Sequence, residues 1–360
     1  METYEIPLVP GPTRVPEAVR RAYLTDYASA DLEPEYCTLY ARVQDQLRAI
    51  LGTRNQVALM TGEGMIALWG ALKSCIRPGE RVLAVSTGVF GYGIGEMAAA
   101  IGAEVQWVEF GYDEIIEPER VEAAIRAFHP KMVTAVHCET PSGTLNPVGA
   151  VGELVQRHDV PLYYVDAVAS GAGAPMLADE WGIDLCLIGS QKALSAFPDT
   201  AAVTVSERAW EVVAEVNYPG YDALLPYRDA LERGWFPYTP AWASLAGLHE
   251  ACRLVLEEGL ERVFARHAHV AQFCRTRARE LGLALYPVSE AACSPTVTAL
   301  RVPDPPGWVA LQSALRARGM GVGGSLGPLE GRVFRIGHMG AQADLALVER
   351  GMDVLAAVLG

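Results

Sequence analysis

Residues 188–194 read Ile188-Gly189-Ser190-Gln191-Lys192-Ala193-Leu194. An apolar run over 183–188 precedes them and predicts a buried strand. Gly189 and Ser190 break that strand and bring the chain round to Lys192. Lysine is scarce: Lys73, Lys131 and Lys192 are three of the 29 Lys and Arg residues, so the other 26 are arginines. A lysine can form a Schiff base, whereas an arginine stays protonated and cannot. Of the three, Lys192 alone falls in a turn just past a buried strand. Taken by itself it also suits an ordinary loop lysine.

Outward from this turn, strands and helices alternate. Strands are predicted at 57–60, 81–85, 104–108, 132–137, 162–165, 183–188 and 201–205, with helices at 35–51, 65–76, 90–101, 118–128 and 147–157. Apolar strands separated by helices predict an α/β fold with a mostly parallel sheet covered on both faces. Ligands of such sheets bind at the carboxyl ends of the strands. The pattern changes near 240. Helices at 245–258, 260–281, 308–318 and 343–359 and strands at 296–302 and 333–336 predict a smaller α+β unit. Residues 7–16 hold four prolines and read as an extended arm without regular structure, lying on another surface. The expected division is an arm over 1–16, a large domain over 17–258 and a small one over 259–360.

Composition narrows the function. With 360 residues, 51% of them hydrophobic and 20% charged, the chain can build a large core. A formal net charge of −14 and no basic run argue against nucleic acid. No apolar run is long enough to span a membrane. Seven scattered cysteines without CxxC or ligand spacing read as reduced thiols, and no secretion signal is visible, so the cytoplasm is the expected compartment. No metal site is expected.

Three further features follow predicted strands. Thr61-Gly62-Glu63-Gly64-Met65 is a glycine turn entering a helix, whose bare N–H groups suit a phosphate, although the Glu63 carboxylate would repel one; a plain tight turn reads equally well. Asp166 ends the apolar run Leu-Tyr-Tyr-Val and calls for a positive partner, or else serves as a helix cap. His137-Cys138-Glu139-Thr140-Pro141-Ser142-Gly143 is a polar loop after a clean strand. Pyridoxal 5'-phosphate unites them: a phosphate for the glycine turn, a ring nitrogen for an aspartate and an aldehyde for a lysine.

With these motifs the chain resembles the class V aminotransferases of pyridoxal-phosphate fold type I. The resemblance runs from Pro10-Gly11-Pro12-Thr13 through the glycine turn, Cys138 to Gly143, Val165-Asp166-Ala167-Val168-Ala169-Ser170 and Gly189 to Leu194. It continues to Tyr238-Thr239-Pro240 and Phe334-Arg335-Ile336-Gly337-His338-Met339-Gly340. It implies a seven-stranded, mostly parallel sheet and a cofactor, pyridoxal 5'-phosphate. Lys192 is similar to the family's Schiff-base lysine and Asp166 to the partner of the ring nitrogen. Phe90 falls where an aromatic ring stacks on the cofactor, and Thr140 where a hydroxyl meets the ring side. Gly64, Met65 and Gln191 match phosphate-side positions. Thr239 is similar to a threonine that reaches the neighbouring subunit's phosphate, which implies a homodimer with its active site at the interface. Arg335 resembles the arginine that clamps the substrate carboxylate. Glu63 departs from the usual serine, and Met65 replaces a frequent histidine. The stretch from Asp26 to Asp31 lacks a usual Gly-His.

The function implied is transfer of an amino group from a small amino acid, alanine or serine, to a keto acid, glyoxylate or pyruvate, by a ping-pong route. Alternatives are a 2-aminoethylphosphonate–pyruvate transaminase, a lyase of the desulfurase type, which needs a mobile exposed cysteine, and a non-catalytic protein on the same fold.

Overall fold

The computed structural model describes residues 3–27, 29–30 and 32–360. Met1, Glu2, Ala28 and Asp31 lie outside the described residues, and with the last two part of the Asp26-to-Asp31 departure. In chain order come β1 (Ile6–Leu8), α1 (Glu17–Ala22), α2 (Pro34–Leu51), β2 (Gln56–Thr61), α3 (Gly64–Cys75), β3 (Arg81–Ser86), α4 (Val89–Ile101), β4 (Glu104–Glu109) and α5 (Pro118–Phe128). Then follow β5 (Met132–Val136), β6 (Cys138–Glu139), β7 (Thr144–Leu145), α6 (Val148–Arg157), β8 (Leu162–Asp166), β9 (Leu185–Gly189), β10 (Thr200–Val205), α7 (Glu207–Val216) and α8 (Ala230–Arg233). The chain closes with α9 (Trp242–Glu258), α10 (Leu260–Glu280), β11 (Val297–Arg301), α11 (Trp308–Arg316), β12 (Met320–Gly324), β13 (Val333–Gly337) and α12 (Leu345–Leu359).

The main sheet has seven strands in the order β2-β10-β9-β8-β5-β3-β4, and only β10 runs against its neighbours. Its strands bury both faces. Val57 and Leu59 of β2 join one apolar cluster, while the alternate residues Ala58 and Met60 join the cluster on the other side. The aromatic strand β8 is buried throughout because its polar ends are met. Tyr163 Oη donates to Val148 O at 2.8 Å and Tyr164 Oη to Leu68 O at 3.2 Å.

A second sheet, β1-β12-β13-β11, packs with α10, α11 and α12 around a separate apolar cluster. Two of its strands escape a reading of the sequence. Met320-Gly-Val-Gly-Gly carries three glycines, which hide the strand β12. The proline-rich arm is not irregular throughout: Ile6–Leu8 pairs in parallel with Met320, Gly321 and Val322. Pro7 is tolerated there because β1 is an edge strand. The helix α7 was also not expected; Ser206 caps it by accepting from Ala209 N at 3.2 Å.

Register aligns the functional ends. Asp166 pairs with Val136 of β5 and Leu187 of β9, so Asp166, the loop after β5 and the Lys192 turn leave the sheet at one edge. Because β10 is antiparallel to both β9 and β2, the carboxyl end of β2, and with it Glu63 and Gly64, reaches the same edge.

Candidate active site

The Lys192 turn is held by backbone. Ser190 N donates to Thr200 O at 3.0 Å, and Ser195 N to Lys192 O at 2.9 Å. The arm fastens it from outside: Thr13 N donates to Gln191 O and Thr13 Oγ1 to Lys192 O, both at 3.0 Å. Lys192 Nζ donates to Pro10 O at 2.9 Å. The other lysines are committed elsewhere, Lys73 to Asp222 at 2.9 Å and Lys131 to Glu80 at 2.6 Å. Among the described residues Lys192 is thus the one lysine without a carboxylate partner. Burial, and then the Arg335 guanidinium, pull its pKa down, which favours the neutral, nucleophilic amine.

Asp166 shares a cavity with Lys192, lined also by Glu63, Gly64, Met65, Leu68, Phe90, Cys138, Thr140, Val168, Ala169 and Gln191. Asp166 Oδ1 accepts from Val168 N at 2.8 Å. Burial pushes its carboxyl up to about 6, against the opposing effects of that bond and of the Lys192 charge. A carboxylate so placed lacks a full counter-charge, and a protonated ring nitrogen would supply one.

At the far end of the cavity α3 begins. Neither Gly64 N nor Met65 N donates to any described acceptor, as first-turn amides of a helix are left to do. Their N–H groups and the helix dipole suit an anion. Gly64 packs under Val168, whose Cγ2 would stand 3.1 Å from a Cβ there. Gln191 Nε2 donates to the Glu63 carboxylate at 3.2 Å, while the buried Gln191 Oε1 has no partner. Glu63 and Met65 are exposed at the rim.

Phe90 and Thr140 both line the cavity. Arg335 does not line it but lies in the middle of β13, near enough for its charge to lower the Lys192 pKa. It is 8% exposed, and its Nε and Nη2 donate to Gly324 O at 2.8 and 2.5 Å. No carboxylate pairs with it among the described residues; burial pushes its pKa down to about 10. An unpaired buried guanidinium is a strong seat for a carboxylate ligand. Thr239 is exposed before α9 and lines nothing in its own chain's cavity.

Two contributions have no clear signal in the sequence. One is the arm, whose Pro10 and Thr13 reach the Lys192 turn across more than 170 residues of chain, Thr13 to Lys192 alone spanning 179. The other is Glu139, whose carboxylate accepts from Phe90 N at 3.2 Å and Gly91 N at 2.6 Å at the start of α4. Cys138 and Cys293 do not suit a desulfurase, which needs a mobile, exposed thiol. The buried Cys138 donates to Ser294 Oγ at 3.1 Å, with its thiol pushed up to about 11 by burial, and Cys293 is half-buried with its pKa also raised.

A lysine amine, a buried aspartate and a free helix N-terminus at one sheet edge define a pyridoxal-phosphate-dependent transferase. The family model described as aminotransferase class-V matches residues 10–324. Pyridoxamine–pyruvate transaminase of Mesorhizobium japonicum is 35% identical over 94% of this chain and 87% of that protein. Serine–glyoxylate aminotransferase of Methylorubrum extorquens is 32% identical over 96% of this chain and 92% of that protein. The solved structure of ureidoglycine–glyoxylate aminotransferase from Bacillus subtilis superposes with a TM-score of 0.95 at 32% identity, covering 100% of this chain and 94% of the other. The chain belongs to the class V aminotransferases. It is a pyridoxal-phosphate-dependent aminotransferase of fold type I.

The residues present fit that cofactor. Asp166, with no ion pair among the described residues, would meet the ring nitrogen, the Lys192 amine the aldehyde, and the open N–H groups of α3 the phosphate. The Glu63 carboxylate and the unpartnered Gln191 Oε1 there oppose a phosphate.

Proposed function

We propose that the chain moves an amino group from alanine or serine to glyoxylate or pyruvate, with Lys192, Asp166 and Arg335 as its working side chains. When bound, pyridoxal phosphate supplies an aldehyde for the amine and a ring that takes up the electron pair of a broken Cα–H bond. Lys192 would take the proton from the donor's Cα and deliver one to the cofactor carbon that carried the aldehyde. Asp166 keeps the proton on the ring nitrogen. Arg335 grips the carboxylate, and Phe90 and Thr140 orient the ring. Gly64 N, Met65 N and Gln191 hold the phosphate. The reading rests on one observation above all: Lys192 has no carboxylate partner among the described residues and shares its cavity with the raised Asp166 carboxyl. A half-reaction screen tests it. Alanine, serine and 2-aminoethylphosphonate are each added to the yellow enzyme, then glyoxylate or pyruvate. Bleaching by alanine or serine and recovery with the keto acid is expected, with Lys192→Ala as the blank. Bleaching only by 2-aminoethylphosphonate, or retained turnover in Lys192→Ala, overturns it.

A second reading of the donor rests on Glu63. Its carboxylate and the unpartnered Gln191 Oε1 make the phosphate end of the cavity rich in acceptors. A phosphate only accepts, whereas a 5'-hydroxymethyl group donates. Pyridoxamine has such a group, and the Mesorhizobium relative is named for transamination between pyridoxamine and pyruvate. In this reading pyridoxamine enters the cavity as the donor. Mixing it with pyruvate and following the formation of pyridoxal tests the point.

The homodimer is also part of this proposal. Thr239 is exposed beside Trp235 and Tyr238, 56% and 41% exposed, on the stretch that would reach a second protomer's phosphate end. The division into 1–16, 17–258 and 259–360 then separates arm, cofactor unit and carboxylate grip. The cytoplasm is the compartment assigned, supported by seven free thiols.

A further inference from the structure

Glu139 is 0% exposed and carries no ion pair among the described residues. Its carboxylate oxygens are met by two backbone donors, Phe90 N and Gly91 N, 49 and 48 residues away in sequence. The seat is tightly built. A Cβ on Gly88 would lie 2.7 Å from Glu139 Cδ, and one on Gly91 3.3 Å from Oε1. The backbone carrying Glu139 is equally fixed: Gly143 N donates to Glu139 O at 2.8 Å, and Glu139 pairs with Thr144. The same hairpin sends Thr140, its next residue, into the cavity. One rigid unit thus places a hydroxyl beside the ring position and clamps the first turn of the helix that presents Phe90.

A buried carboxylate at a helix start is often only a cap. Here the capped residue is itself part of the cavity wall, and Glu139 is the described side chain that accepts from the N–H groups of that first turn, while Trp107 Nε1 donates to Tyr92 O further along at 3.3 Å. We propose that Glu139 is a positioning residue that fixes Phe90 against the cofactor by anchoring the first turn of α4; this rests on the reading of Phe90 as the ring that stacks there. The titratable groups around it are Asp166 of β8, Cys138 of its own hairpin and Tyr112. All are acids, so a cation does not share the task. Burial pushes the Glu139 carboxyl up to about 7, and the two N–H donors oppose that rise.

The test is a double-mutant cycle on full-length protein, read as the dissociation constant of pyridoxal phosphate and as the near-visible spectrum of the complex. Glu139→Gln keeps size but turns an N–H donor towards Phe90 N or Gly91 N. A rise of about tenfold or more in that constant is expected, with a shifted band. Phe90→Leu should weaken binding by itself, and adding Glu139→Gln to it should cost little more. Ser206→Ala removes a helix cap at the other end of the sheet and should lower the melting temperature without moving either readout. Should Glu139→Gln fail to fold, Gly88→Ala, which pushes on the carboxylate from outside, takes its place. An unchanged constant in Glu139→Gln, or effects that simply add, overturns the positioning role. If Phe90→Leu itself changes nothing, the stacking role of Phe90 has failed, and the inference with it.

Discussion

Gly11 and Lys192 are in contact: a Cβ on Gly11 would lie 2.5 Å from Lys192 Cδ and 2.9 Å from Nζ. The same arm accepts the Lys192 amine on Pro10 O at 2.9 Å. Gly11 also holds φ at +91°, where a side chain is strained. Gly11→Ala should therefore cost about 1–2 kcal/mol of backbone strain and displace the lysine. We expect kcat to fall about tenfold or more while the KM for both substrates changes little. Steady-state kinetics check this, and an unchanged kcat would mean the arm does not set the amine.

Asp166 gives a pH dependence with a definite sign. In the cofactor-free protein its carboxyl rises from an ordinary 3.8 to about 6. The folded state then holds a proton that the unfolded chain has lost. Stability from this group is fully present below pH ~4 and is lost as pH rises through about 6, by up to about 3 kcal/mol. Asp166→Asn should remove that slope. Melting temperatures of both forms between pH 4 and 7 test it: the wild-type curve should fall relative to the variant across that window. The variant should also hold the cofactor less tightly.

Arg335 offers a planar fork that a lysine cannot copy. Arg335→Lys should raise the KM for the amino acid and keto acid and lower kcat/KM by about 10–100-fold, matching the loss of charged hydrogen bonds worth roughly 1.5–3 kcal/mol. Cofactor affinity should change little, because Arg335 stays outside the cavity lining. Equal losses of cofactor and substrate affinity would place it differently.

Glu63 separates the two donors. Glu63→Ser removes a carboxylate from the phosphate end and leaves a hydroxyl donor. The dissociation constant for pyridoxal phosphate should fall several-fold, and any pyridoxamine–pyruvate activity should drop by about tenfold or more. A titration of the cofactor-free protein and a pyridoxal assay read the two effects independently.

The sequence by itself determined a good deal. Largely apolar runs mark all seven main strands to within two residues at each end, because a strand buried on both faces needs apolar side chains on both. Lysine scarcity isolates Lys192, and a lone carboxylate after Leu-Tyr-Tyr-Val marks Asp166, because burying a charge carries a cost that a cationic ligand offsets. Tertiary structure alone decided the rest. That β10 runs backwards, that Pro10 meets the Lys192 amine, that β1 completes the small sheet and that Glu139 anchors the helix bearing Phe90 are contacts between distant parts of the chain. Periodicity and propensity act over a few residues, and no local pattern encodes which distant backbone N–H a buried carboxylate will find.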